Sequence, residues 1–147
     1  MCKKNNSKLF YTCSLIEFIG RQTKQKRNTV VNQLGKEAIT RIYEYSDVFH
    51  CEPIEKVADD FITQYQLEIG SFDNVASCKY EVPDYWTIGE VYERLIEDIS
   101  NEDNIIETLL EIYNSWINDF LSNYNIAVYY QSRDYLKESY LAGEILE

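Results

Sequence analysis

The chain has 147 residues, room for one domain of ordinary size and too little for two comfortable ones. Its 45% apolar content can fill a core, which argues against a largely disordered chain. Five Gly and two Pro exclude collagen-like, linker-like and most loop-rich all-β designs. No segment approaches the roughly 20 consecutive apolar residues of a membrane span. The basic start, Met1 to Ser7, leads into no apolar signal core, so the expected setting is soluble and cytoplasmic.

The net charge of −11 conceals an asymmetry. Residues 1–41 hold nine cations and two acids (Glu17 and Glu37), a charge of +7, whereas residues 42–147 hold five cations and 23 acids, a charge of −18. Such polarity implies either a basic contact surface on the first part or docking of that part onto the second. The acidic body repels nucleic acid and favours basic partners, or it simply keeps the surface solvated. Cys2, Cys13, Cys51 and Cys78 show no CxxC spacing and read as reduced thiols, Cys13 as a small apolar residue.

In chain order the dominant period is helical. Leu9, Cys13, Ile16 and Gly20, widened by Leu15, Phe18 and Ile19, predict a largely buried helix of about 13 residues. A polar basic loop, 21–27, follows. Asn28 or Thr29 caps a short helix holding Val30, Val31 and Leu34, which Gly35 closes in the left-handed conformation. The next helix carries Ile39, Ile42, Tyr43, Ser46 and Phe49 on one face. Pro53 suits the first turn of a helix in which Ile54, Val57, Ala58, Phe61, Ile62 and Tyr65 recur at helical spacing.

Residues 70–83 form an irregular stretch and the best boundary between a basic subdomain, 8–69, and an acidic one, 84–147. Thr87 with Glu90 predicts a capping box, and Trp86 with Val91 a hydrophobic staple. Ser100 or Asn101 then caps the longest helix, roughly 20 residues from Ile106 to Leu121. Ile126 to Tyr130 is β-prone but short. Ser132 caps a last helix with Tyr135, Leu136 and Tyr140. The expected fold is a single all-α domain, a bundle of about six or seven helices, with room for one short extended segment near 78–83 or 126–130.

Few residues carry recognisable chemistry. His50 is the only histidine, which excludes a di-iron bundle with two Glu-x-x-His motifs. His50, Cys51, Asp47, Cys78 and Cys13 lack the paired spacing of structural zinc sites, so no metal and no cofactor is expected. His50 and Cys51 point about 100° apart on a helix and do not make a nucleophile–base pair. Phosphate loops, G-x-S-x-G and H-E-x-x-H are absent from the sequence, and an enzyme is not expected.

Two features remain. Acids one turn apart, Glu93 with Glu97 and Glu107 with Glu111, line helix faces, and Tyr129 and Tyr130 head a Tyr-rich last quarter. Thirteen tyrosines fit either an interface or an amphipathic core. Arg21, Lys24, Lys26 and Arg27 form a basic run. Helices at 29–34 and 36–47 around Gly35 could then be a helix-turn-helix, although Glu37, Glu44 and Asp47 suit a DNA groove poorly.

The order Leu15-Ile16-Glu17-Phe18-Ile19, Leu34-Gly35-Lys36, Ile42 to His50 and Val57 to Ile62 resembles a small helical bacterial domain of unknown function encoded beside ADP-ribosyltransferase-type toxin genes. The resemblance covers about residues 10–65, and the basic loop departs from it. It implies a toxin–antitoxin or phage-defence setting and transfers no catalytic residue. The resulting expectation is a non-enzymatic acidic interaction protein of a bacterial or phage operon, antitoxin-like or inhibitor-like. It would bind a toxin or a nucleic-acid-binding protein through Glu93, Glu97, Glu107, Glu111, Tyr129 and Tyr130, acting in one variant as a nucleic-acid mimic. The alternative is a DNA-binding transcriptional regulator using the 21–27 loop.

Overall fold

The computed structural model describes residues 6–146. Among them the chain is all-α, in eight α-helices and one 3₁₀ turn: α1 (Ser7–Thr23), α2 (Arg27–Glu44), α3 (Ser46–Phe49), α4 (Ile54–Gln64), α5 (Tyr85–Ile99), α6 (Ile105–Tyr113), α7 (Ile117–Leu121), the 3₁₀ turn Ala127–Tyr130, and α8 (Arg133–Ala142). No helix is long and apolar enough to cross a membrane among the described residues.

The first helix organises the rest. Asn6 caps α1 by accepting from the Leu9 N–H, and the run from Tyr11 to Glu17 is buried on every side. A helix apolar all round must be surrounded. Here α5 lies along it most extensively, with α2, α4 and α3 on its other flanks. One apolar core therefore runs from Leu9 in α1 to Leu136 in α8, through residues of both halves of the chain.

Several local expectations are corrected. The basic stretch is mostly helix, since α1 continues to Thr23 and α2 begins at Arg27, leaving residues 24–26 as the link. The Arg21–Glu17 ion pair and the Thr23 hydroxyl, which donates to the Ile19 carbonyl, hold that last turn. Lys24 then takes the left-handed conformation (φ 53°) that ends the helix. No side chain caps α2, so neither Asn28 nor Thr29 is its N-cap. Gly35 does have positive φ (85°), but its ψ of 166° makes a kink within α2 rather than a left-handed closure. A Cβ there would meet nothing, so glycine is required by conformation alone. Tyr45 separates α2 from α3.

Asp84, not Thr87, is the N-cap of α5, accepting from the Thr87 N–H at 2.8 Å. Trp86 and Thr87 lie inside the first turn of α5, so the expected capping box and its Trp86–Val91 staple do not form, and Trp86 packs on Phe10 and Tyr85. Ser100 ends α5, and Asn104 stands before α6. The expected 20-residue helix is broken at residues 114–116. There the Asn114 amide donates to the Leu110 carbonyl and the Ser115 hydroxyl to the Ile112 carbonyl, side chains that compete with the helical ladder.

Neither proposed extended segment is a strand. Residues 126–130 turn into the 3₁₀ helix. Near 78–83 the backbone is pinned by a side chain, with the Lys79 N–H donating to Asn125 Oδ1 and Asn125 Nδ2 donating to the Ser77 carbonyl. Ser132 caps α8 as expected, accepting from the Tyr135 N–H.

The α1–α5 crossing is close. A Cβ on Gly89 would lie 2.8 Å from the backbone N and Cα of Ser14, atoms that cannot swing aside. Gly89→Ala is expected to destabilise the fold by about 2–3 kcal/mol through overpacking, read as a lowered denaturant midpoint at unchanged slope.

Candidate functional site

At the end of α1 nearest residues 70–83, a buried carboxylate sits among cations. Glu17 is 2% exposed and faces the interior from the buried middle of α1, between Ile16 and Phe18. Arg27, wholly buried, donates from Nε to Glu17 Oε1 (2.9 Å) and from Nη2 to Oε2 (3.0 Å), a two-pronged pair. Arg21 Nε donates to the same Oε2 at 2.8 Å, and the Tyr124 hydroxyl donates to it as well.

The guanidiniums reach onward. Arg27 also donates to the Gln25 carbonyl and to Asn74 Oδ1, while Asn74 Nδ2 donates to the Ser122 carbonyl. Arg21 Nη2 donates to the Pro83 carbonyl at 2.7 Å, and its guanidinium lies 5.3 Å from the Tyr124 ring centre. Four otherwise separate pieces of chain are thereby tied to one carboxylate. Burial alone would push the Glu17 carboxyl up. The charge and hydrogen bonds of Arg27, then Arg21 and the Tyr124 hydroxyl, outweigh it and hold the carboxyl at about 2. Burial, then the Glu17 charge, pushes the Tyr124 phenol up to about 12.

Two clefts adjoin this cluster, and Tyr124 lines both. The larger, about 840 Å³, lies between residues 80–87 and 124–130. Tyr80, Glu81, Pro83 and Asp84 form one wall, and Tyr124, Ile126, Tyr129 and Tyr130 the other. Tyr80 and Tyr130 are each 69% exposed. The Tyr124 and Tyr129 rings meet at 78°, and those of Tyr129 and Tyr130 at 66°. Partial burial, then Tyr130, Cys78 and the Glu81 carboxylate, push the Tyr129 phenol up. The smaller cleft, about 380 Å³, is lined by polar side chains, among them Asn74, Asn118 and Ser122.

The residues singled out from the sequence fall in different places. Tyr129 and Tyr130 line the larger cleft. The four acids do not share one surface. Glu93 is 2% exposed and Glu97 nearly covered, both turned toward the start of α1, where the Asn6 N–H donates to Glu97 Oε2 (2.7 Å) and Glu93 Oε2 (3.3 Å). Arg133 closes the group by pairing with Glu97 and Asp98. Glu107 and Glu111 are exposed, and Glu107 pairs with Lys36. Of the basic run, Arg21 and Arg27 belong to the Glu17 cluster, and only Lys24 and Lys26 stand exposed. Lys24 lies 3.9 Å from Asp73, and Lys26 stands over the Phe72 ring.

The tyrosines divide between core and surface. Tyr92 and Tyr113 stack in the core at 4.1 Å, with the Tyr92 hydroxyl donating to Asn118, while Tyr80 and Tyr130 face solvent. His50 packs edge-on against Tyr11, and Cys51 donates to the Asp47 carbonyl. Cys13 is buried, Cys51 exposed and Cys78 between, all free thiols, whereas Cys2 lies outside the described residues. Among the described residues no three His, Cys, Asp or Glu side chains converge as metal ligands.

Sequence reasoning missed the 80–84 wall and the role of Glu17. One signal was available: a carboxylate between Ile16 and Ile19 on an apolar helix needs a buried cation, and Arg21 stands one turn on. Comparisons with family models, with curated proteins and with solved structures find no match.

Two predictions follow from the carboxylates. Glu17→Gln leaves Arg27 buried without its counter-charge and is expected to destabilise the fold by about 3–5 kcal/mol. Because the folded carboxyl titrates at about 2 rather than the ordinary 4.5, this stabilisation is present above pH 4.5. The gap between wild type and variant therefore narrows as pH falls from 4.5 toward 2, measurable by denaturation at each pH.

Glu93 behaves oppositely. Burial, then the hydrogen bond and charge of Glu97, push its carboxyl up to about 8 against the opposing Asn6 N–H and Arg133. A raised carboxyl stabilises fully below pH 4.5, and that contribution is lost as pH rises toward 8. Glu93→Gln is accordingly expected to melt higher than wild type at pH 8.5, with the difference shrinking toward pH 5 in melting curves.

Proposed function

We propose that this chain is a non-enzymatic interaction protein that binds a protein partner in the tyrosine-walled cleft between residues 80–87 and 124–130. The observation that carries the proposal is the pair of exposed rings, Tyr80 and Tyr130, on the two walls of a cleft of about 840 Å³. Tyrosine is favoured at protein interfaces because the ring packs while the hydroxyl keeps a hydrogen-bond partner. The cleft's acids and the chain's net charge of −11 favour a basic partner surface.

Holding and inhibiting that partner, as an antitoxin or inhibitor does, fits the chain's size and acidity and the toxin–antitoxin or phage-defence setting that the resemblance of residues 10–65 implies. A nucleic-acid mimic built on Glu93, Glu97, Glu107 and Glu111 is less well supported, since the first two face inward. DNA binding through residues 21–27 is likewise less well supported, since two of its four cations are held by Glu17.

The test is capture from the native host at moderate salt with the tagged full chain and with a Tyr80→Ala/Tyr130→Ala variant. One stoichiometric partner, retained by wild type and weakened about tenfold or more in the variant, is the expected result. Equal capture by both chains would remove the cleft from the interface. Co-purifying DNA that is lost on replacing Lys24 and Lys26 by Ala would establish the regulator instead.

A further inference from the structure

The walls of the larger cleft define what kind of group fits it. Four tyrosines (Tyr80, Tyr124, Tyr129 and Tyr130) are among its lining residues, together with the carboxylates of Glu81 and Asp84. Among the described residues no lysine or arginine lines it. Asp84 uses one oxygen to cap α5, and Glu81 makes no ion pair among the described residues. Within the 124–130 wall the Tyr129 ring meets the exposed Tyr130 ring at 66° and the buried Tyr124 ring at 78°. The rings of this wall therefore face different directions, an arrangement in which a cation can meet more than one of them. Val82, Pro83 and Ile126 add apolar surface suited to the methylene stem of a long side chain.

The protein already uses one of these rings in this way. Arg21 lies 5.3 Å over Tyr124 while donating to the Pro83 carbonyl and to Glu17. Glu17 is shared between Arg21 and Arg27, so the cluster keeps one net positive charge, which the two carboxylates of Glu81 and Asp84 outweigh. A guanidinium over a tyrosine with a carboxylate and a carbonyl beside it is therefore an arrangement that this site sustains.

We propose that the cleft is a cage for an organic cation, and that it takes the arginine or lysine side chain of an extended basic segment of the protein partner. This inference rests on the interaction reading and deepens it. A neutral apolar segment would leave Glu81 and Asp84 without counter-charge. An acidic segment would meet two carboxylates with no cation among the lining residues. The volume, about 840 Å³, exceeds one side chain and accommodates the flanking backbone of a short peptide.

The experiment titrates the full chain with acetyl-Gly-Ser-Arg-Ser-Gly-amide, with the same peptide carrying citrulline, and with tetramethylammonium, following tyrosine ring signals by NMR. Citrulline keeps the shape of arginine and removes its charge. The expected result is saturable shifts of the Tyr80, Tyr129 and Tyr130 rings by the arginine peptide, with citrulline binding about fivefold or more weakly. Glu81→Gln with Asp84→Asn, which retains a capping side chain at 84, is expected to weaken the arginine peptide about threefold at unchanged melting temperature. Equal binding of the arginine and citrulline peptides, shifts confined to other residues, or no shift would overturn the cage. Tetramethylammonium binding as tightly as the arginine peptide would overturn the peptide assignment. Failure of the cage leaves the Tyr80/Tyr130 capture result standing, and loss of that result leaves the cation titration readable, so the two readings fail separately.

Discussion

Everything at the α1 end of the fold depends on one buried charge. A carboxylate placed inside an apolar core is costly unless it is paired and its lone pairs are filled. Glu17 meets that demand with Arg21 one turn on in its own helix, Arg27 at the start of α2 and the Tyr124 hydroxyl. The arginines in turn need their remaining donors satisfied. That requirement places the Gln25 and Pro83 carbonyls and the Asn74 side chain. A segment with no regular secondary structure, residues 70–83, is thus fixed by the polar needs of a helix it barely resembles. Both clefts inherit their walls from the same cluster, since Tyr124 lines each of them.

The charge asymmetry of the sequence has a partial structural answer. Among its described residues, the basic first part does not present a continuous cationic face. Its two arginines at 21 and 27 turn inward, Lys36 reaches across to Glu107, and Lys24 lies near Asp73. The last two pairs are exposed and contribute little to stability. They do orient the two oppositely charged parts toward each other. The acidic part in turn is less uniform than its sum, because Glu93 and Glu97 are enclosed between the start of α1 and Arg133.

Periodic apolar patterns made most of the fold readable. The faces of α4 and α5, the Ser132 cap and the positive φ of Gly35 all follow from residue type and spacing. Boundaries failed where a side chain chose between two local partners. Asp84 outcompeted Thr87 as a cap, and Asn114 with Ser115 ended α6 early. The site was less readable than the fold. Tyr129 and Tyr130 stood out by clustering in sequence, but their opposite wall lies more than forty residues earlier. Long-range apposition leaves no local trace. Acids one turn apart looked like a solvated face, and only the tertiary position of Asn6 and Arg133 shows which pair is enclosed.

The near-contact of α1 with α5 has a consequence for how the chain must assemble. Helix α1 is buried on nearly every side, yet the helix that covers it most is separated from it by residues 24–84. During synthesis the segment that most needs cover is made first and waits for its main cover until that whole interval has followed. Local partners α2, α3 and α4 can shield part of it meanwhile. The remaining face, where Ser14 later meets Gly89, stays open to water or to other chains. Closing so wide a loop places this small helical protein among the slower of its class to fold, and makes the unfinished chain, rather than the finished one, the species most prone to associate wrongly.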